Sequence, residues 1–190
     1  MRTQRSLSYA IVTPARNEVA NLPRLAAAVL AQTQRPATWV IVDDLSADGT
    51  DVWARALATR HAFIHAVARV GPDVGVLAEG RHHARDLLAF RAGIDALPTP
   101  VDVVVKADAD TDFGPRYFED LLAQFAARPD LGIASGGCHE RKGGAWIPRS
   151  TAVSHPRGGS RAYRWALVED VRRLEPRMGW DGLDEILAGL

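Results

Sequence analysis

Short apolar runs and helix-spaced stripes take turns along the first two thirds of this chain. YAIVTP (9–14), TWVIVDD (38–44), AFIHAVA (62–68) and VDVVV (101–105) are rich in β-branched residues and short enough to be strands. Between them, Leu22, Leu25, Ala26, Val29 and Leu30 follow the i, i+3, i+4, i+7, i+8 spacing of a helix with one buried face, opened by Asn21 and Pro23. SADG leads into a second helix near 50–60, and GRHHARDLLAFRAGIDAL carries a third through Leu87, Leu88, Arg91, Ile94 and Leu97. A fourth opens at Gly114-Pro115, with Phe118, Leu121, Leu122 and Phe125 on one face, and LGIASGG (131–137) reads as a further strand. Strand and helix in strict alternation predict an α/β domain, a mostly parallel sheet covered by helices on both faces.

That architecture already locates a site. In open parallel sheets, ligands bind beyond the carboxyl ends of the strands. Pro14 to Glu18, Asp43-Asp44 and Asp108-Ala-Asp110 each follow such an end, so one rim is expected to hold them all. From residue 138 the pattern dissolves into CHERKGGAWIPRSTAVSHPRGGSRAYRW, read as loop or short hairpin before a helix at about 160–174. The 190 residues make one domain: about 1–137 for the sheet half and about 138–190 for a loop-rich remainder. Formal charge is +0, with 23 basic and 23 acidic side chains, so no global field draws nucleic acid or an anionic surface. A single cysteine, Cys138, favours a reducing compartment, and no run has the length of a membrane span. The amino-terminal residues lack a signal-peptide core, and the expectation is a cytoplasmic protein.

The densest chemistry lies in KADADTD, where Asp108, Asp110 and Asp112 are spaced two apart. Carboxylates about 7 Å apart on a strand repel by about 2.4 kcal/mol at an effective dielectric of 20 and about 0.6 kcal/mol in water. A wet strand end tolerates that, so a strand terminus capping the next helix is one reading. A calcium loop is another, with Asp108, Asp110, Asp112 and Glu119 at positions 1, 3, 5 and 12. Phe113, however, stands where the loop's sharp turn needs glycine. The third reading is a Mn²⁺ or Mg²⁺ site, since these hard cations take few protein carboxylates and complete their shells with phosphate oxygens and water. His82-His83 have no companion at ligand spacing and read as surface residues. The arginines at 157, 161, 164, 172, 173 and 177 read as a solvated helix and loop.

In order, TPARNE (13–18), VDDLSADGT (42–50) and KADAD (106–110) resemble the nucleotide-binding half of family 2 glycosyltransferases of the GT-A fold. LGIASGG (131–137), RGGSRAYRW (157–165) and GWDGLDE (179–185) resemble the acceptor-side segments of bacterial members. The resemblance implies a Rossmann-like GT-A domain. Its implied reaction is metal-dependent, inverting transfer from a nucleotide-diphospho-sugar, UDP-linked by preference, to a hydroxyl acceptor. That acceptor would be a sugar or a lipid-linked sugar in surface polysaccharide or glycolipid synthesis, reached at the inner face of a membrane. It further implies roles for individual residues. Pro14, Arg16 and Glu18 would line the nucleotide pocket, and Asp43 or Asp44 would bond the base, with Ser46 closing the turn. Arg85 would lie near base and diphosphate, Asp108 would contact ribose or donor sugar, and Asp110 with Asp108 would hold the metal. Trp180 and Asp181 would flank the acceptor. Asp184 would be the catalytic base, kept ionised by the first turn of the last helix, with Glu185 the neighbouring candidate.

Each role has a plainer counterpart. Asp44, Ser46 and Asp48 also suit a helix-capping turn, Asp181, Asp184 and Glu185 suit any helix amino-terminus, Arg85 suits a solvated helix face, and Trp180 suits a core. Similar enzymes continue beyond the Asp-Glu pair with a strand that closes the site, whereas Leu190 lies five residues past Glu185. A non-catalytic nucleotide-sugar-binding module is therefore the competing expectation. A nucleotidyltransferase is disfavoured, because no glycine-rich basic loop for a triphosphate is present.

Overall fold

The computed structural model describes residues 6–73, 84–149 and 155–189. A six-stranded sheet runs in the order β3-β2-β1-β4-β8-β5. Four strands are parallel: β1 (Tyr9–Ala15), β2 (Thr38–Asp43), β3 (Ile64–Ala68) and β4 (Val103–Ala107). Helices α1 (Leu22–Leu30), α2 (Thr50–Ala58), α3 (Arg85–Asp95) and α4 (Tyr117–Ala127) alternate with them, as the apolar spacing predicts. His82 and His83 lie outside the described residues.

The two faces of the sheet make two cores. On one, Ile11, Trp39, Ile41, Val103 and Val105 pack against Leu22, Leu25 and Val29 of α1 and Phe118 and Phe125 of α4. On the other, Val12, Val40, Val42 and Val104 meet Leu87, Phe90 and Ile94 of α3, with Tyr163 and Trp180. β1, β2 and β4 are buried on both faces, which is why their sequences run apolar without alternation.

The carboxyl-terminal third departs from expectation. A helix over about 160–174 is not found. Ser160–Arg164 is instead strand β8, inserted antiparallel between β4 and β5 (Ile133–Ala134), and only the short helix α5 (Val168–Arg173) follows. β5 is much shorter than the run LGIASGG suggested. Cys138–Lys142 (β6) and Ala145–Arg149 (β7) form a separate two-stranded hairpin, and Trp180–Leu187 makes the last helix, α6. No helix among the described residues is long and apolar enough to cross a membrane.

Gly93 sets how closely α3 lies on the sheet. A Cβ there would stand 2.2 Å from Val12 Cγ1 and 2.9 Å from Val42 Cγ2, both on rigid buried strands. Gly93→Ala is therefore expected to cost about 1–3 kcal/mol through overpacking, read as a lowered urea midpoint with an unchanged slope.

Candidate functional site

Because β1 lies between β2 and β4, the three acidic or basic loops share one rim. Ala15 is level with Asp43, and Val12 with Lys106, which puts Asp108 beside Pro14 at the same end. Asp43 and Asp108 are thus two strand spacings apart, about 10 Å. The Asp108–Thr111 turn sits under the loop that opens β8. Asp108 N donates to the Gly159 carbonyl at 3.0 Å, Thr111 Oγ1 donates to the same carbonyl at 3.1 Å, and Arg24 Nη2 donates to the Asp110 carbonyl at 2.7 Å.

At the β2 end the two adjacent aspartates divide. The Asp44 carboxylate is buried and committed: Oδ1 accepts from Arg69 Nε, and Oδ2 pairs with Arg85 Nε at 3.6 Å. Arg16 Nη1 donates to the Asp44 carbonyl at 3.1 Å, and its guanidinium grips Asp73 with two bonds of 3.0 and 2.9 Å. Arg85 is therefore buried at the rim, not a solvated helix residue. The Asp43 carboxylate is buried too, but only Oδ2 has a bond, from Ser46 N at 3.4 Å. Oδ1 has no partner among the described residues. A small, shallow depression adjoins it, lined by Asp43, Asp51, Ala54, Arg55 and Ala66 to Ala68.

Two loops interlock above this point. Asn17 N donates to Ser46 Oγ at 2.9 Å, while Ala47 N donates to Asn17 Oδ1 at 2.8 Å. Val19 N and Thr50 N donate to the two oxygens of Asp48 at 3.1 and 3.0 Å, so Asp48 and Ser46 perform the turn chemistry anticipated for them. Glu18 accepts from Asn21 Nδ2 at 2.7 Å, turning its side chain toward the start of α1, and Pro14 stays half-buried beside the rim.

The Asp-x-Asp turn presents unequal carboxylates. Asp108 Oδ1 is held by Lys106 Nζ, and Oδ2 lies toward Gly159. Asp110 is exposed, and its carboxylate meets no described hydrogen-bond or charge partner. Asp112 accepts from Phe113 N at 2.9 Å, while Glu119 is drawn away by Thr33 Oγ1 (2.6 Å) and Arg116 (3.2 Å). Glu119 cannot close a twelve-residue calcium loop from there. Among the described residues no three acidic, histidine or cysteine side chains converge as a metal cage. The donor set is two hard carboxylates at a wet edge. That fits a cation finishing its shell with ligand phosphate, and does not fit a protein-enclosed one.

Sequence reasoning missed three residues that organise this face. Lys106 is buried, 3.5 Å from Asp86 and in contact with Asp108. Asp86 in turn accepts from Trp180 Nε1 at 3.2 Å. Trp180 is thus core and connector together. Arg161, expected to be solvated, is fully buried. Its Nη1 donates to Asp184 Oδ1 at 2.6 Å, and its Nη2 donates to Glu185 Oε1 at 2.8 Å. Arg164 likewise braces the end of α4, donating to the carbonyls of Leu131, Phe125 and Arg128. A lysine ending an apolar strand before two aspartates is a signal that could have been read. Arg161 and Tyr163, on one side of β8, offer only alternation.

Asp184 is the fifth residue of α6, not in its first turn. Both its oxygens are engaged, by Arg161 and by Tyr163 Oη at 2.6 Å, and burial raises its pKa against their pull, the reverse of the dipole expectation. Glu185 is partly open: Oε1 takes Arg161 and His155 Nδ1 (2.8 Å), and Oε2 has no described partner. Asp181, in the first turn, faces Gly158, whose Cβ would stand 3.4 Å from its Oδ2. Since removing one member of a buried ion pair strands the other, Asp184→Ala is expected to cost about 3–5 kcal/mol in urea denaturation. Glu185→Ala, at the wetter end, should cost about 1 kcal/mol.

Comparison with known proteins places this arrangement. The sequence matches the family described as Glycosyl transferase family 2 over residues 10–174. No curated protein sequence matches it. Among solved structures, S. aureus TarS 1–349 superposes with a TM-score of 0.68 at 15% identity, covering 96% of this chain and 55% of TarS 1–349. The mannosyltransferase PcManGT from Pyrobaculum calidifontis, in complex with GDP-Man and Mn²⁺, gives 0.62 at 20% identity, covering 93% and 51%. GalNAc-T7 with UDP, GalNAc and Mn²⁺ gives 0.69 at 13% identity, covering 97% and 41%. The chain therefore spans about half the length of the solved structures it resembles, and shares their GT-A fold.

Proposed function

The chain belongs to glycosyl transferase family 2, and from that premise we propose that it transfers a glycosyl group from a nucleotide-diphospho-sugar to a hydroxyl acceptor, with inversion. The observation that carries the reading is the shared rim. Asp43, Arg16, Arg85 and the pair Asp108 and Asp110 come from four separate stretches of sequence and stand at the carboxyl ends of β1, β2 and β4 or directly against them. TarS has been solved with UDP and with UDP-GlcNAc, and PcManGT with GDP-Man. A UDP-linked donor is the reading carried forward from the sequence.

Each residue then has a chemical task. The unpartnered Asp43 Oδ1 accepts from a donor group on the nucleobase. Asp44 is a holder: it fixes Arg69 and Arg85 beside Arg16, whose donors are shared with Asp44 and Asp73, and these guanidinium groups are the ones that would turn to the diphosphate. Asp110 and the free side of Asp108 would hold Mn²⁺ or Mg²⁺. Bound there, such an ion supplies electrostatic stabilisation of the departing nucleoside diphosphate. Asp108, kept in place by Lys106, faces ribose or donor sugar.

Displacement at the anomeric carbon also needs a carboxylate to take the acceptor proton. Glu185 suits that task better than Asp184, because one of its oxygens is unclaimed and it is partly exposed, while Asp184 is consumed by Arg161 and Tyr163. Asp184 then acts as the anchor that orients Arg161, and through it Glu185. Asp181 and Trp180 border the acceptor side.

Isothermal titration of UDP with Mn²⁺ tests the donor half. Binding is expected to weaken tenfold or more in Asp110→Ala and in Asp43→Ala, as each removes a buried or charge-assisted partner. No binding by the parent chain would overturn the reading. The base assignment is tested by turnover across a panel of nucleotide-sugar donors. Glu185→Gln should lower transfer or donor hydrolysis by about 10²–10⁴ with UDP affinity intact. Turnover that survives Glu185→Gln removes that residue, and nucleotide binding with no turnover in any variant leaves a binding module instead.

A further inference from the structure

The hairpin β6–β7 is set apart from the rest of the molecule. Among the described residues it pairs with no strand of the main sheet, and every residue from His139 through Arg149 is exposed. Gly143 and Gly144, at φ +58° and +84°, make the two-residue turn that such a hairpin needs. A lone two-stranded ribbon is marginally stable in water, and this one holds Trp146 60% exposed and Ile147 43% exposed. Around them stand Arg141, Lys142 and Arg149 against the single carboxylate of Glu140, a net +2 in a chain whose formal charge is +0. The charges are also sorted. Glu140 and Arg149 pair at 2.7 Å on the side that carries Ile147, while Arg141, directly opposite Trp146, has no acidic partner on its own side among the described residues.

Its position is equally specific. β5 runs parallel to β4 because both oppose β8, so the chain leaves β5 at the rim that carries Asp108, and β8 returns from that rim. The hairpin therefore projects from the site's own edge, where Arg157 N is tied to Ser135 Oγ at 2.8 Å.

We propose that this hairpin docks the protein on an anionic phospholipid surface turn first, with Trp146 seated at the headgroup level and Arg141 and Lys142, the two cations beside the Gly143-Gly144 turn, among the phosphates. An indole beside cations is what a bilayer interface accepts, an amphipathic ring for the boundary and fixed charge for the anionic headgroups. A second copy of the hairpin would oppose +2 with +2, and two basic residues beside one aromatic, unpaired among the described residues, make a small footprint for nucleic acid. Docking stands on the hairpin alone. Its consequence, that the rim is held where a lipid-linked hydroxyl would lie, rests on the transferase reading.

The test is co-sedimentation of the full chain with phosphatidylcholine vesicles, with and without phosphatidylglycerol, at low and high salt. Binding is expected only with phosphatidylglycerol, weakening with salt. Arg141→Ala and Lys142→Ala should each lower it about fivefold, and Trp146→Ala should lower it and remove the blue shift of tryptophan emission. Arg60→Ala, an exposed cation beyond α2, should change nothing. Absence of binding, binding unaltered by Trp146→Ala and Arg141→Ala, or loss in those variants of RNA binding alone, each overturns the proposal. Circular dichroism of the same variants shows whether they fold. Vesicle binding by a parent chain that does not bind UDP counts against the transferase reading and not against docking.

Discussion

A buried ammonium holds the two halves of this molecule together. Lys106 ends β4 among apolar neighbours, where burying an uncompensated cation is costly. Burial pushes its pKa down, yet Asp108 and Asp86 together outweigh that and raise it, so the lysine stays charged. One contact fixes the first aspartate of the Asp-x-Asp turn. The other reaches α3, and Asp86 passes the connection on to Trp180 at the start of α6. One residue later, the Asp181 carbonyl accepts from Arg161, which carries Asp184 and Glu185. The carboxylates of the Asp-x-Asp turn and of α6 thus belong to one polar chain lying on one face of the sheet.

Arg161 shows why that chain is built as it is. A guanidinium has five donors, and here the four on Nη1 and Nη2 meet two carboxylates and the carbonyls of Asp181 and Pro156, from α6 and from the loop before β8. Replacing it with lysine would supply charge but not the fork that spans them. Such burial seldom maximises stability, since desolvation consumes much of the attraction. What it secures is geometry: α6 rests on this face through Trp180, Leu183 and Asp184, and Arg161 fixes how that helix is turned.

This is also where sequence and structure part company. The parallel core was readable because its strands, buried on both faces, carry continuous valine and isoleucine, and because α1 and α4 show their stripes plainly. β8 was not. SRAYR buries Arg161 by pairing and Tyr163 by packing, so polarity that normally signals solvent here signals a partner contributed by residues twenty positions away. The same blindness affected Arg85, whose burial depends on Asp44, and Arg69, which sits on no motif at all. The rim residues could be named from the sequence because strand ends are fixed by the fold. Which of two adjacent aspartates faces the depression depends on which arginines arrive to claim the other.

The loops around Asp43 are themselves preset. Asn17 and Leu45 adopt left-handed backbone, at φ +57° and +59°, on the two loops that flank Asp43. Neither conformation comes free to a residue with a side chain, and the reciprocal bonds between Asn17, Ser46 and Ala47 hold them. The loops are therefore set before any ligand arrives. Within them the lone Asp43 Oδ1 carries a desolvation penalty of about 1–3 kcal/mol for want of a donor. In the proposed reading a nucleobase supplies that donor, so the penalty stored in the free protein is released on binding. A base that presents an acceptor instead would leave the oxygen as unsatisfied as before, and specificity at this position comes from that difference.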